Sequence, residues 1–281
     1  VGMSWPEFNE INAETLQTKW RIKKRPVIAI TFYSALLQSG QTEVIDALIT
    51  ALEKDYNCIP IHSKSFKDKK NRDVTRFLLK KYNPISVINL TGFSLSGISS
   101  SKTIFDDARR PVFQVILSSM SEHEWQHSSK GLNNRDIIMS ISLPEIDGRI
   151  ITKTIAFKEE ISFDKITQTK LLEYIPHDFG INYICNLVKN WSKLSVTSNE
   201  KKNIFITLAN YPNKDSRIAN GVGLDTPSSI VHLIKKLKKL NYKIHNFPSN
   251  SDELMKKLIS GQTNSHEKIK LKTNKYLSLD D

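Results

Sequence analysis

The segment "PVIAITF", Pro26–Phe32, decides the fold. It is a continuous apolar run rich in β-branched residues, and such runs form strands buried on both faces of a parallel sheet. Two shorter apolar runs follow it, "CIPI" at Cys58–Ile61 and "ISVINL" at Ile85–Leu90. We therefore predict three neighbouring strands of one sheet, with Pro111–Leu117 as a fourth.

Helical patterns separate these strands. The segment Glu43–Glu53 repeats apolar residues at helical spacing, at Val44, Ile45, Leu48, Ile49 and Leu52. A second helix is predicted for Asp73–Tyr82, with Val74, Phe77, Leu78 and Lys81 at helical spacing and Pro84 ending it. Strand, helix, strand, helix, strand is the pattern of a parallel sheet with right-handed crossovers.

The second half of the chain is predicted from turns and breaks. Residues 137–157 alternate around Asp147-Gly148, which indicates a β-hairpin. The pattern over Asp164–Trp191 is mostly helical, with a break at Pro176. The segment Asn203–Ala209, "NIFITLA", restarts the cycle as a buried strand.

These elements predict an α/β protein. We expect an N-terminal segment (1–24), a first α/β domain with a Rossmann-like parallel sheet and a hairpin (25–160), a helical connector (161–200) and the start of a second α/β domain (201–281). The chain does not begin with methionine and ends without a helix or strand pattern, so we expect it to be a piece of a longer protein.

The composition limits the function classes. Hydrophobic residues are 39% and charged residues 25%, and no apolar run approaches the roughly 20 residues of a membrane helix. Two distant cysteines, Cys58 and Cys185, argue against a disulfide framework, so we expect a cytoplasmic protein.

The net charge of +12 is concentrated towards the end of the chain, where residues 201–281 hold 15 basic and 7 acidic residues. Such a balance suits an anionic partner. Aromatic residues do not interleave with the basic ones, as stacking on bases would require, so lysines that only solvate helix faces are the simpler explanation and we expect no nucleic-acid partner. We expect no membrane partner either.

His123-Glu124-Trp125-Gln126-His127 matches H-E-x-x-H. On a helix this spacing places two imidazoles one turn apart to hold zinc, with Glu124 as the base of a metallohydrolase. The window is short and offers no evident third ligand, although Glu145 is a candidate. The alternative is an exposed polar helix.

Two loops follow predicted strands, where open α/β sheets place ligand loops. Asn89–Ser101, "NLTGFSLSGISSS", lacks a Walker lysine and the dinucleotide spacing, so a crossover loop is the simpler interpretation. The second loop, Asn210–Asp225, is longer than the usual link of about 2 to 6 residues. Thr226 is a candidate N-cap for the helix after it, and Pro227 suits its first turn.

The loop Asn210–Asp225 is the candidate binding segment. Asp225 would cap the following helix and repel an anion, which makes the loop a poor phosphate cradle. Two explanations stay open: a wall that faces a ligand, or a corner braced by pairing Arg217 with Asp225. The proposed substrate-binding residues are Asn210, Asn213, Lys214, Arg217, Asn220, Gly221, Gly223 and Asp225.

Long stretches of the chain, from about Arg25 to Asn264, resemble the large subunits of aerobic cobaltochelatases, which are homologous to the H-type component of magnesium chelatase. The most specific block is "NYPNKDSRIANGVGLDTP", Asn210–Pro227. Others are "RPVIAITFYSALLQSG" from Arg25 and "LMKKLISGQTN" from Leu254. The histidine pair at His123 and His127 is not part of the family pattern, which weakens the zinc interpretation.

The resemblance implies a large cytoplasmic protein that binds a tetrapyrrole, hydrogenobyrinic acid a,c-diamide, and inserts Co²⁺ during cobalamin synthesis. It implies that ATP is hydrolysed by separate partners, an AAA+ ATPase and a second chelatase subunit. Insertion of Mg²⁺ into protoporphyrin IX is the relative's reaction. The family's "H-G-x-x-E-W-x-P-G-K"-type segment does not occur in this chain, so we expect the catalytic groups to lie elsewhere and this piece to bind no cofactor itself.

Overall fold

The computed structural model describes residues 1–6, 8–96, 103–106, 109–211 and 217–260. The chain forms two compact units, Val1–Ser192 and Lys193–Asp281. None of the helices in these described ranges is long and apolar enough to cross a membrane.

The first unit contains the sheet and most of the helices. The strands are β1 (Gly2–Trp5), β2 (Phe8–Ile11), β3 (Val27–Tyr33), β4 (Asn57–Ser63), β5 (Ser86–Asn89), β6 (Val112–Ser118), β7 (Ile150–Asp164) and β8 (Thr169–Pro176). The helices are α1 (Ala13–Lys19), α2 (Ser34–Gln38), α3 (Glu43–Leu52), α4 (Lys69–Tyr82), α5 (Glu122–His127), α6 (Asn134–Ile137), α7 (Leu143–Ile146) and α8 (Asp178–Val196), with a π-helical turn at Ile138–Ser142.

The eight strands form one sheet in the order β2-β1-β4-β3-β5-β6-β7-β8. Strands β4, β3, β5, β6 and β7 are parallel, whereas β1, β2 and β8 pair antiparallel at the two ends. Numbered along the chain, the five parallel strands have the order 2-1-3-4-5, which is a doubly wound α/β arrangement. The prediction of an α/β fold with a parallel sheet, including its four strands, is confirmed.

Strand β3 is apolar throughout because both of its faces are covered. Ile28, Ile30 and Phe32 pack into a core with α3 and α8. Ala29, between them, belongs to a second core with α1 and α4. The five apolar residues predicted for α3 are all buried, so the predicted stripe of this helix is confirmed.

Helix α4 differs from its prediction in start and orientation. It begins at Lys69, because the Asp68 side chain accepts a hydrogen bond from the Asn71 backbone N–H (3.2 Å) and caps the helix. Its buried residues are Thr75, Leu78, Leu79 and Tyr82. Val74 and Phe77 are 38% and 63% exposed and Lys81 is also exposed, so the predicted stripe is right only at Leu78.

The predicted hairpin at Asp147-Gly148 is wrong. The residues before it are helical, from α6 through the π-helical turn to α7, and the Asn133 side chain caps this segment at the Asp136 N–H (2.9 Å). Gly148, with φ of 70°, makes the turn into β7. The hairpin is instead formed by β7 and β8, where Asp164 lies opposite Thr169.

The predicted helix over Asp164–Trp191 is therefore wrong before Pro176, where the chain forms β8. The apolar residues of β8, Leu171, Leu172, Tyr174 and Ile175, do not alternate with polar ones, so the sequence does not show the strand. Its pairing with β7 in the hairpin defines it. After Pro176 the prediction is confirmed by α8.

The second unit contains helices α9 (Thr226–Lys239) and α10 (Ser251–Ile259) and a 3₁₀ turn at Asn199–Lys201. The predicted strand Asn203–Ala209 is not formed there, since no neighbouring strand pairs with it among the described residues. Phe205 in this segment is 92% exposed. A buried strand requires partners on both edges, and the local pattern alone does not supply them.

Candidate functional site

A buried polar row crosses the centre of the parallel sheet. Thr31 on β3 donates to the Asn89 side chain on β5 (2.6 Å), and Asn89 donates to the Gln114 side chain on β6 (2.7 Å). Thr31 lies opposite Asn89 in the sheet, and Asn89 lies opposite Gln114. The row therefore links the three central strands level with the carboxyl end of β5. Open α/β sheets hold ligands outside the carboxyl ends of their strands.

A buried ion pair continues this row. Arg149 donates to the Gln114 side chain (2.9 Å) and to Asp147 Oδ2 (2.7 Å), and both charged side chains are about 1% exposed. The guanidinium also donates to the carbonyls of Thr91 and Phe93, both at 3.1 Å. It thereby ties the loop after β5 to the start of β7.

The Asp147 carboxylate accepts three further hydrogen bonds from the same loop. Its donors are the Ser94 hydroxyl (2.6 Å) and the backbone N–H groups of Leu95 (2.6 Å) and Ser96 (3.0 Å). This is the first part of the predicted loop Asn89–Ser101, and residues 97–101 lie outside the described residues. The described part is a fixed connection and not a flexible crossover.

The electrostatics of the pair follow from burial and hydrogen bonding. Burial favours the neutral form of Asp147, but the hydrogen bonds from Leu95, Ser94 and Ser96 outweigh it and lower the pKa of the carboxyl. Burial also lowers the pKa of Arg149, opposed by Asp147. Both groups are charged at neutral pH.

The described residues of the predicted binding loop Asn210–Asp225, 210–211 and 217–225, form a corner with two short bridges. Asn210 bridges Ile218, and Gly221 bridges Leu224. Gly223 has φ of 74°, which a residue without Cβ adopts readily. At Gly221 a Cβ would lie 2.9 Å from the Thr226 hydroxyl, so the glycine permits a close approach to the helix.

The corner presents its side chains to the outside. Arg217, Asn220, Gly223 and Asp225 are exposed, as are three apolar residues, of which Val222 is 100% and Tyr211 81% exposed and the third is Leu224. Asn213 and Lys214 lie outside the described residues. The Asn210 side-chain oxygen is buried and has no hydrogen-bond partner among the described residues.

Asp225 acts as the N-cap of α9, accepting from the Ser228 N–H at 3.0 Å, and this hydrogen bond lowers the pKa of its carboxyl. The predicted cap, Thr226, is instead the first helical residue. The alternative in which Asp225 braces the corner by pairing with Arg217 is not seen in the described residues.

The zinc interpretation of His123, Glu124 and His127 does not fit the geometry. The Glu124 carboxylate accepts from the Ser121 backbone N–H at 3.0 Å and completes a capping box. Helix α5 has only six residues, and the two imidazole rings stack at 4.2 Å between centroids. No group of three potential metal ligands, with Glu145 or otherwise, occurs in the described parts of the chain.

Sequence reasoning missed the Asp147–Arg149 pair. The signal is present in the strands, since Thr31, Asn89 and Gln114 are polar residues in mostly apolar runs. A buried polar residue requires a partner, so three of them on adjacent strands indicate a network. Because Asp147-Gly148 was interpreted as a hairpin turn, the Asp147 carboxylate was not considered as a partner for these residues.

Together, these features define a doubly wound α/β domain with a rigid carboxyl edge, followed by a unit with an exposed, glycine-containing corner. The chain belongs to the CobN/Magnesium Chelatase family, whose model matches residues 3–281.

Curated relatives include the aerobic cobaltochelatase subunit CobN of Sinorhizobium sp, 33% identical over 280 residues and 95% of this chain. The aerobic cobaltochelatase subunit CobN of Pseudomonas aeruginosa is 30% identical over 283 residues and 100% of this chain. The chain spans only 22% and 23% of the length of these two relatives.

A solved structure, the catalytic subunit of cobaltochelatase from Mycobacterium tuberculosis, matches with a TM-score of 0.66. The match covers 84% of this chain and 20% of that chain, at 23% sequence identity. At this identity, the likeness establishes the fold alone.

Proposed function

We propose that this chain is part of the large subunit of an ATP-dependent cobaltochelatase, a nitrogen–metal ligase of the cytoplasm. The subunit would insert Co²⁺, as substrate metal, into hydrogenobyrinic acid a,c-diamide during cobalamin biosynthesis, with ATP hydrolysed by an AAA+ partner and a second chelatase subunit. The observation that carries the proposal is the family match over residues 3–281, with identity of 33% and 30% to two cobaltochelatase subunits.

Cobalt is favoured over magnesium by the same comparison. The family includes magnesium chelatases, so insertion of Mg²⁺ into protoporphyrin IX is the second candidate function. Two relatives that are named as cobaltochelatase subunits match at 33% and 30% identity, whereas magnesium-chelatase H subunits match at 23% and 22%. Related sequences at this level share the chemistry of their substrate more often than remote ones, which supports the cobalt reaction.

The reaction requires that two ring N–H protons leave and that the macrocycle be enclosed and bent towards the metal. We assign the proton-accepting groups to other parts of the large subunit. The role that we propose for this chain is to form a wall of the tetrapyrrole cavity, because the corner Asn210–Asp225 combines exposed apolar residues with an exposed cation.

Each chemical feature of the corner has a counterpart on the substrate. The exposed side chains of Val222 and Leu224 suit the apolar face of a macrocycle. Arg217 can donate two parallel hydrogen bonds to a peripheral carboxylate, a geometry that favours arginine over lysine. The Asp225 carboxylate does not compete with the substrate carboxylate for Arg217, because it already accepts a hydrogen bond from the Ser228 N–H of α9.

Changing Arg217 to Ala in the complete subunit tests this assignment. We expect tetrapyrrole affinity, measured by quenching of intrinsic fluorescence, to fall about tenfold, as for loss of one charge-assisted hydrogen bond. Arg21→Ala, which removes an exposed arginine of the first unit, is the matched control and should bind normally. Unchanged affinity in Arg217→Ala would remove the corner from the binding site.

A further inference from the structure

A cavity of about 510 Å³ opens at the carboxyl edge of the sheet in the first unit. Three segments line it, each directly after a central strand: the end of β3 with α2, residues 64–67 after β4, and the loop after β5. Strand β4 pairs with one edge of β3, and β5 pairs with the other edge. The cavity therefore adjoins the point where the strand order reverses. Doubly wound sheets bind ligands at this point.

One wall of the cavity is held in place at an energetic cost. Phe93 has φ of 65°, a left-handed conformation that is unfavourable for a residue with a Cβ atom. Its backbone is fixed at both ends, because its N–H donates to the Met139 carbonyl (2.8 Å) and its carbonyl accepts from Arg149 (3.1 Å). The preceding residue must be glycine, since a Cβ at Gly92 would lie 2.9 Å from the Met139 carbonyl oxygen.

This fixed backbone presents apolar side chains to the cavity. The Phe93 ring is 44% exposed, and Leu95 beside it also lines the cavity. The Leu95 N–H donates to Asp147, and the Phe93 carbonyl accepts from Arg149. The buried ion pair therefore holds the backbone of both residues in place. A strained backbone that leaves an aromatic ring facing an opening is typical of a binding wall.

Another part of the lining is cationic and polar. Lys64 and Lys67 line the cavity and are exposed, and neither forms an ion pair with a carboxylate within the described ranges. Ser65 and Gln38 add a hydroxyl and an amide to the same lining. Two unpaired ammonium groups attract an anion, and the polar neighbours can hydrogen-bond to it.

The lining also distinguishes between anions. Phosphate cradles use glycine backbone amides that converge at a helix N-terminus, and no glycine lines this cavity within the described part of the chain. The apolar wall needs a ligand with a flat hydrocarbon body. A carboxylate on an aromatic or conjugated body meets both conditions.

We propose that this cavity binds an aromatic carboxylate, with the carboxylate at Lys64 and Lys67 and the flat body against Phe93 and Leu95. The ligand would be either a free aromatic acid or one carboxylate-bearing edge of a larger conjugated ring. The site is separate from the corner Asn210–Asp225 and does not depend on the function proposed for that corner.

The test uses the purified chain and two probes of the same shape, 2-naphthoate and the neutral 2-naphthamide, titrated by ligand-observed NMR. We expect naphthoate to bind at least about tenfold more tightly than naphthamide. The double variant Lys64→Gln/Lys67→Gln should abolish that preference, and Phe93→Ala should weaken both probes. Tryptophan fluorescence verifies that each variant is folded, since all four tryptophans lie in the first unit.

The matched control is Lys235→Gln/Lys236→Gln, which removes the same charge from the exposed face of α9 and should retain the preference. A second titration with protoporphyrin IX distinguishes the ligand sources: binding of the porphyrin alone, weakened by Lys64→Gln/Lys67→Gln, would identify the ring edge as ligand. If binding of neither 2-naphthoate nor protoporphyrin IX depends on Lys64 and Lys67, the inference is overturned. In that case, a loss of tetrapyrrole affinity in Arg217→Ala would still support the function proposed for the corner.

Discussion

Asp147→Asn is expected to destabilise the first unit by about 3 to 5 kcal/mol, the cost of leaving one member of a buried ion pair without its partner. Both carboxylate oxygens accept hydrogen bonds, Oδ1 from Ser94 and Ser96 and Oδ2 from Leu95 and Arg149. The NH₂ group of an asparagine would replace one of these two oxygens, and it would then point at N–H or O–H groups that need an acceptor. The Arg149 charge would also remain buried and uncompensated.

Urea unfolding followed by tryptophan fluorescence measures this effect, because all four tryptophans lie in the first unit. The control is Asp55→Asn, which breaks an exposed pair with Lys189 (3.0 Å) and should cost at most about 1 kcal/mol. Equal midpoints for Asp147→Asn and Asp55→Asn would contradict the role assigned to the buried pair.

The same pair predicts the direction of acid sensitivity. The pKa of Asp147 is lower in the folded state, so its stabilisation is complete above the unfolded pKa and is lost as the pH falls through the folded value. The unfolded value is about 3.9. The difference in stability between wild type and Asp147→Asn should therefore shrink below that pH.

Gly180→Ala is expected to destabilise the first unit by about 3 kcal/mol, at the upper end of the cost of overpacking. A Cβ at Gly180 would overlap the Thr154 carbonyl oxygen and lie 3.1 Å from the Ile155 Cα. These are backbone atoms of β7, so no side chain can rotate away, and α8 must move off the sheet. Ile181 and Ile184 on α8 would then lose their places in the core.

The free energy of unfolding of Gly180→Ala, obtained from the same urea titration, checks this expectation. Asn182→Ala is the matched control, because Asn182 is an exposed residue of the same helix. Its effect should stay within about 0.5 kcal/mol. A Gly180→Ala protein as stable as Asn182→Ala would show that α8 does not pack closely on β7.

The sequence was sufficient for the elements that carry their own pattern. Strand β3 is apolar along its length because both of its faces are buried, and α3 shows its stripe because one face meets the core. The strand–helix alternation then determines the parallel sheet through the handedness of the crossovers. These predictions depend on local periodicity and are confirmed.

Elements defined by their pairing partners were not predictable in the same way. Strand β8 forms through its hairpin with β7, and its apolar residues, Leu171, Leu172, Tyr174 and Ile175, do not alternate with polar ones. The segment Asn203–Ala209 has the strand pattern but no partner among the described residues. Pairing is a property of tertiary context, which overrides local preference in both cases.

The two candidate sites differ in the same way, since one is visible in the local sequence and the other depends on the fold. The corner Asn210–Asp225 stands out in the sequence because its length and glycines are local features. The cavity at the carboxyl edge combines residues from three segments between Tyr33 and Leu95, and its wall depends on a carboxylate about fifty residues further on, at Asp147. Only the folded sheet brings these groups together.

Metal insertion by the complete large subunit, assembled with the ATPase partners proposed above, tests the central claim most directly. The measurement is the absorbance change on metal insertion, with hydrogenobyrinic acid a,c-diamide and Co²⁺ in one reaction and protoporphyrin IX and Mg²⁺ in the other, each with and without ATP. We expect ATP-dependent formation of the cobalt product and no magnesium porphyrin. Formation of magnesium porphyrin, or of neither product, would contradict the proposed function.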